Sequence, residues 1–400
     1  MRLTGTTVRG IRCPIIRAGD NLVQIVTNSI LNAAENENFS LHDRDVIAIT
    51  ESIVARAQNN YATLDDIAND IKHKFGPKPI NAVGVVFPIL SRNRFAMCLK
   101  GIARAVEHII LMLSFPNDEV GNELINLDKL DEANIDTDTN FNLNTYRNIF
   151  GENKHPFTDI DYVNYYKSII EEENCECTII FDNQPKHIFS YTHNVIVANI
   201  HNRKRTAKLL KNYYKEANVY TLDQIRTATN NNHGYNSTYG LLGSNKADEE
   251  RIKLFPNIAP AQELVEQIQQ EIFNKTNKHV EVMIYGDGAF KDPVGKIWEL
   301  ADPVVSPAYT SGLNGTPNEL KLKYLADSTF NDLNGEELNN AMINAIKQKD
   351  NNLKGTMKTE GTTPRQLTDL LGSLCDLTSG SGDKGTPVVL VQGYFDNYAS

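Results

Sequence analysis

An aspartate stands between two glycines at Gly286-Asp287-Gly288, directly after the apolar run Val280 to Tyr285. A carboxylate at the end of a buried strand, in a turn where glycines allow close backbone approach, suits an oxygen ligand for a metal-bound phosphate. Lys291 and Asp292 follow in "AFKDPVG" and offer a phosphate contact and a second metal ligand. A plain turn fits the same spacing, because Asp and Gly are the commonest turn residues. A second constellation is "RAGDN" (Arg17 to Asn21) with "HDRDVIAITESIVARAQNN". There a short strand runs into Thr50, Glu51 and Ser52 and then reaches Arg56. A helix starting at that point aims backbone N–H groups and an arginine at an anion, although an N-cap at Thr50 or Ser52 needs no ligand. "SRNRF" repeats the arrangement with Arg92 and Arg94, whose guanidinium groups bind carboxylate or phosphate through two hydrogen bonds.

Other chemistries lack their residues. The nine histidines are scattered without an HExxH pattern, and no P-loop, G-x-G-x-x-G turn after a strand, or G-x-S-x-G elbow occurs. The five cysteines are few and odd in number, which argues against a disulfide framework. Cys175 and Cys177 form the one close pair, and with no second Cys/His pair they read as ordinary thiols on a strand edge rather than a zinc site. A net charge of −10 disfavours nucleic acid as the main partner. No run of about 18 apolar residues supports a membrane span, so a cytoplasmic location with no membrane partner is the expectation.

The elements that must position these residues fall into three compositional zones. With 400 residues and 40% hydrophobic content the chain can bury a large core, roughly two to three domains by length. In residues 1–125, "NLVQIVTNSILNAAE" places Leu22, Ile25, Val26, Ile30 and Leu31 at helical spacing, and "DVIAIT" and "INAVGVVFPIL" read as strands. "RFAMCLKGIARAVEHIILML" reads as one apolar core helix. Residues 126–235 open on "NLDKLDEANIDTDTNFNLNTY", which reads as loop and surface. "CECTIIFD" and "NVIVANI" follow as strands and "RKRTAKLLKNYYKEA" as a basic helix. Residues 236–400 carry "YGLLGSNKADEERI", whose "DEER" reads as a solvated helix face. Then come a helix at "APAQELVEQIQQEIF" with Pro260 in its first turn, the strand "VEVMIY", a helix near "TPRQLTDLLGSLCDL" and a strand at "PVVLVQG".

Taken in order, "GIRCPIIRAGDNL", "RDVIAITESIVARAQN", "GSNKADEERIKLFP", "VMIYGDGAFKDPVG" and "TPRQLTDLLGSLCDLTSGSGDKGTPVVLVQG" resemble the coenzyme F-420-0:gamma-L-glutamate ligase family. The resemblance covers most of the first and third zones, with residues 126–235 as an insertion. It implies an α+β fold of two lobes with mixed sheets, and normally a homodimer. It also implies a GTP-dependent amide ligase that uses magnesium or manganese to join L-glutamate to a small-molecule acid acceptor. By the family pattern, nucleotide contacts fall on Cys13, Pro14, Ile15, Ile16, Glu51, Ser52 and Arg56. Arg56 stands where the family usually has lysine. The metal falls on Asp287, Gly288 and Asn245. Gly288 replaces a small hydroxyl residue, and Asn245 replaces an aspartate for which Asp248 is a potential substitute. Asp287 and Arg56 are the expected catalytic residues, and Arg92, Arg94 and Lys291 the substrate contacts. The two replacements leave open a catalytically idle relative that binds a nucleotide or small ligand.

Overall fold

The "DVIAIT" run alternates its faces, and that alternation builds the sheet on which the site sits. The computed structural model describes residues 4–76, 80–155, 158–229, 233–286, 306–359, 365–379 and 382–400. In chain order the first elements are β1 (Thr7–Ile11), α1 (Leu22–Asn36), β2 (Val46–Thr50), α2 (Glu51–Ala57), β3 (Tyr61–Thr63) and α3 (Leu64–Phe75). Next come β4 (Val83–Val86), α4 (Phe95–Ala103), β5 (His108–Leu113), α5 (Leu127–Glu132), β6 (Phe141–Asn142), α6 (Leu143–Phe150), α7 (Tyr162–Glu172) and β7 (Glu176–Phe181). The rest are β8 (Asn194–Val197), α8 (Arg203–Tyr213), β9 (Asn218–Thr221), β10 (Asn245–Lys246), β11 (Arg251–Lys253), α9 (Ile258–Thr276), β12 (Glu281–Tyr285), β13 (Ala308–Tyr309), α10 (Leu322–Asp327), α11 (Gly335–Lys347), α12 (Leu367–Thr378) and β14 (Val388–Gln392).

Three sheets result, and the expected α+β class with mixed sheets and flanking helices holds. A five-stranded sheet runs β1-β14-β2-β12-β13, with β2 and β12 parallel and the other pairs antiparallel. Ile47 and Ile49 of β2 turn to one face, against Val26 and Ile30 of α1 and Val265, Ile268 and Ile272 of α9. Val46 and Ala48 turn to the other, against Leu371 and Cys375 of α12. Period-two burial on both faces is what a sheet covered by helices on both sides requires. Each fully buried Ile or Val side chain there contributes about 1.5–3 kcal/mol.

A six-stranded sheet runs β6-β7-β5-β4-β8-β9 and draws strands from both the first and second zones. All its pairs are parallel except the β6 edge. Its parallel strands, numbered along the chain, lie in the order 3-2-1-4-5, a doubly wound arrangement whose order reverses between β4 and β8. A third, small sheet runs β10-β11-β3.

Three local readings change. The apolar run after Phe95 is not one helix. It ends at Ala103, and His108–Leu113 is a central parallel strand with Ile109, Leu111 and Leu113 on one face and Ile110 and Met112 on the other. A short run apolar on both faces satisfies either period, and pairing with β4 and β7 decided it. The opening of the second zone is not loop: Leu130, Phe141, Tyr146 and Phe150 are buried, and Tyr146 stacks on Phe181 at 4.0 Å. "DEER" is solvated as expected but forms the turn of the β10–β11 hairpin rather than a helix, closed by Arg251 pairing with Asp248 at 2.7 Å.

Candidate active site

Four chain segments converge at one edge of the five-stranded sheet. β2 and β12 end there side by side, with Thr50 and Tyr285 as Cα partners. Because β14 runs against β2, its start lies at the same edge, where the Thr50 amide donates to the Pro387 carbonyl at 3.0 Å. β1 ends there too, with Ile11 opposite Val388, and the Cys13 amide donates to the Gly385 carbonyl at 3.2 Å. The sheet register therefore brings Cys13–Ile16 and Glu51–Ser52 to one edge, and Gly286 leaves the sheet beside them. Asp287, Gly288 and Lys291 lie outside the described residues.

Within the first loop Ile16 is buried in the core below, whereas Pro14 is exposed and Ile15 is 78% exposed. Burial pushes the Cys13 thiol up, with a Ser29 hydrogen bond opposing. Pro14 borders an open groove of about 1130 Å³ that is also lined by Arg9, Arg12, Lys384 and Thr386. Arg12 and Lys384 are exposed and form no ion pair among the described residues. The Thr386 hydroxyl oxygen is buried without a hydrogen-bond partner. Two cations and an unsatisfied hydroxyl beside a loop suit an anionic ligand.

Thr50 caps α2, its hydroxyl accepting from the Ser52 amide at 3.4 Å. The capping interpretation of "TES" is therefore realised, and α2 is only 7 residues long. Arg56 donates from Nη1 to the Ile16 carbonyl and from Nε to the Tyr61 hydroxyl, each at 3.4 Å, which joins the first loop to β3. Glu51 is buried, 5% exposed.

Sequence reasoning passed over Lys253. It lies opposite Asn245 in the β10–β11 pair. Its ammonium donates to the Ser52 hydroxyl and stands 3.9 Å from Glu51 Oε1, with the side chain 13% exposed. Asn60 was passed over as well. Fully buried, it donates from Nδ2 to the Tyr235 and Phe255 carbonyls at 2.9 and 2.7 Å. Its Oδ1 accepts from the Gly234 and Tyr235 amides at 2.8 and 3.2 Å. One side chain thus pins both sides of the β10–β11 hairpin to the end of α2. A polar residue between an apolar helix and a short strand was the available signal.

The β4–α4 loop approaches from the other side, where the Lys246 amide donates to the Asn93 carbonyl at 2.6 Å. Arg92 is exposed in that loop and Arg94 is buried at 9%. Asp248 accepts from Arg251 Nε at 2.7 Å and from the Glu250 amide, and the hydrogen bond to Arg251 holds its carboxyl below the usual range. Its charge is committed to the hairpin turn. Among the described residues no group of three or more His, Cys, Asp or Glu side chains could hold a metal ion, and Asp287 lies outside them.

No helix among the described residues is long and apolar enough to cross a membrane. A comparison with curated proteins finds no match. A family profile described as F420-0:gamma-glutamyl ligase matches residues 10–393, which takes in every segment of the site together with the six-stranded sheet.

Proposed function

The chain belongs to the F420-0:gamma-glutamyl ligase family, and from that premise we propose that it is a GTP- and divalent-metal-dependent amide ligase joining L-glutamate to a small-molecule acid. The observation that carries this reading is the convergence of Cys13–Ile16, Glu51–Ser52 and the start of β14 at the end of the parallel pair β2–β12, next to a groove bearing Arg12 and Lys384.

A carboxylate is a poor electrophile. The γ-phosphoryl group of GTP passes to an acceptor carboxylate oxygen, GDP leaves, and the product is an acyl phosphate. The glutamate amine then attacks the acyl carbon, loses a proton, and inorganic phosphate departs with the C–O bond electrons. Such a site works mainly by positioning the reactants and offsetting charge. Arg56, held between Ile16 and Tyr61, supplies a fixed cation at the loop expected to hold the nucleotide. Arg92, exposed on the β4–α4 loop, would take a carboxylate of the acceptor or of glutamate. Asp287, with Asn245 as a neutral oxygen donor, would hold a magnesium or manganese ion, which supplies charge neutralisation at the phosphates. A homodimer completes the proposal, symmetric dimers being the commonest soluble assembly.

The test is calorimetric titration of GTP with magnesium or manganese into the wild type and Asp287→Ala, followed by phosphate release on adding L-glutamate with candidate acids. Equal binding by both proteins removes Asp287 from the site. A second reading, a nucleotide- or small-ligand-binding protein without turnover, draws on Asn245 standing where the family pattern has an aspartate and on the commitment of Asp248 to Arg251. GTP binding without phosphate release under every acceptor favours that reading.

A further inference from the structure

Lys253 has no role in the proposal above, yet its position is unusually constrained. It sits at the end of β11, opposite Tyr61 in the antiparallel pairing with β3. From there its side chain crosses to the end of β2, where the ammonium meets the Ser52 hydroxyl and lies 3.9 Å from Glu51. At 13% exposure the side chain is largely withdrawn from water, so the charge needs strong partners. A carboxylate at 3.9 Å is too far for a direct hydrogen bond. A lysine carries three donors, and these two contacts engage one of them firmly. Ser52, accepting from the lysine, keeps its own hydroxyl proton to donate elsewhere. An ammonium and a hydroxyl presented together are the pair that phosphate oxygens take as a point-charge contact and a hydrogen bond.

Resting on the GTP-dependent reading, we infer that Lys253, together with Ser52, contacts the terminal phosphates of the nucleotide and the phosphoryl group in transfer. The small sheet β10-β11-β3 thereby contributes a residue to the ligase site. Glu51 orients the lysine by its charge, and the register of β11 against β3 sets how far the ammonium reaches. The cation is supplied by β11, so pairing within the small sheet and competence for phosphate binding are coupled.

The experiment uses the full chain with Lys253→Met, which keeps the apolar stem, Lys253→Gln, which keeps a polar tip, and Lys253→Arg. GTP with magnesium is titrated calorimetrically, and guanosine, which lacks phosphates, is followed by ligand-observed NMR. The expected result is an affinity for GTP reduced by about 10- to 100-fold in Lys253→Met and Lys253→Gln, as for loss of a charged hydrogen bond. Guanosine binding is unchanged, and Lys253→Arg recovers most of the GTP affinity. GTP affinity equal to wild type in either neutral variant overturns the inference. Equal losses for GTP and guanosine also overturn it, because a purely structural lysine would disturb both. Should Lys253→Met fail to fold, Lys253→Gln and Lys253→Arg decide by the same comparison. A wild type that binds no GTP with either metal is a different outcome, overturning the functional reading and this inference with it.

Discussion

Thr50 and Tyr285 are Cα partners on the last rung of the parallel pair β2–β12. Adjacent strands lie about 4.8 Å apart, so Glu51 and Gly286 leave the sheet as neighbours although more than half the chain separates them. Ligands in open α/β sheets gather beyond the carboxyl ends of strands for this reason: the loops there are free to carry chemistry while the sheet fixes their spacing.

Metal affinity tests the neutral residue at 245. Asn245→Asp adds a carboxylate opposite Lys253 on β10, and manganese binding in the presence of GTP is expected to tighten severalfold. Electron paramagnetic resonance of free manganese measures it. Unchanged binding takes Asn245 out of the ligand set.

Asn60→Ala removes a fully buried side chain that makes four hydrogen bonds to backbone groups around residues 234–235 and 255. Leaving such groups unsatisfied costs about 1–3 kcal/mol each before relaxation and water entry. A net loss of about 3 kcal/mol in chemical denaturation is expected, and a loss below about 1 kcal/mol would show that the pin is dispensable.

Arg104 joins four elements at the back of the hairpin. Its guanidinium grips Glu173 through Nε and Nη2 at 2.8 and 3.1 Å, and reaches Glu250 at 2.9 Å and Asp65 at 3.1 Å. The hydrogen bonds it donates to Glu173, the largest cause, raise its pKa. With 23% of the side chain exposed, solvent screens the network. Arg104→Met is expected to cost about 1 kcal/mol, and the difference from wild type should shrink as salt is raised. A salt-independent difference would point to lost packing instead.

His155 gives the fold a dependence on mildly acidic pH. Burial holds its imidazole below the usual value, against an opposing pull from Glu123. The unfolded chain, titrating near 6.5, therefore binds the proton more readily than the fold. The contribution to stability is complete above about pH 6.5 and is lost as pH falls through the folded value. Unfolding midpoints between pH 8 and pH 5 should fall less steeply in His155→Gln than in wild type. Parallel curves would assign the slope to other groups.

Much of the fold was legible locally. The helix at Leu22–Asn36, the strands at Val46–Thr50, Glu281–Tyr285 and Val388–Gln392, and the basic helix at Arg203–Tyr213 follow from periodicity and capping residues. Where the pattern is apolar on every side, as from Phe95 to Leu113, period alone does not separate helix from strand, and the partner strands do.

The sequence by itself determined the segment order shared with the ligase family and the residue types at Cys13–Ile16, Glu51, Ser52, Arg56, Asn245 and Asp287. Those are properties of residue type and neighbourhood along the chain. Tertiary structure alone decided that strands of the first and second zones join in one doubly wound sheet, that Asn60 ties residues 234–235 and 255 to the end of α2, and that Lys253 meets Ser52 across 201 positions. The physical reason is that strand register sets these contacts. A shift of one residue would turn every side chain to the opposite face, and register is fixed by hydrogen bonds between strands far apart in the chain.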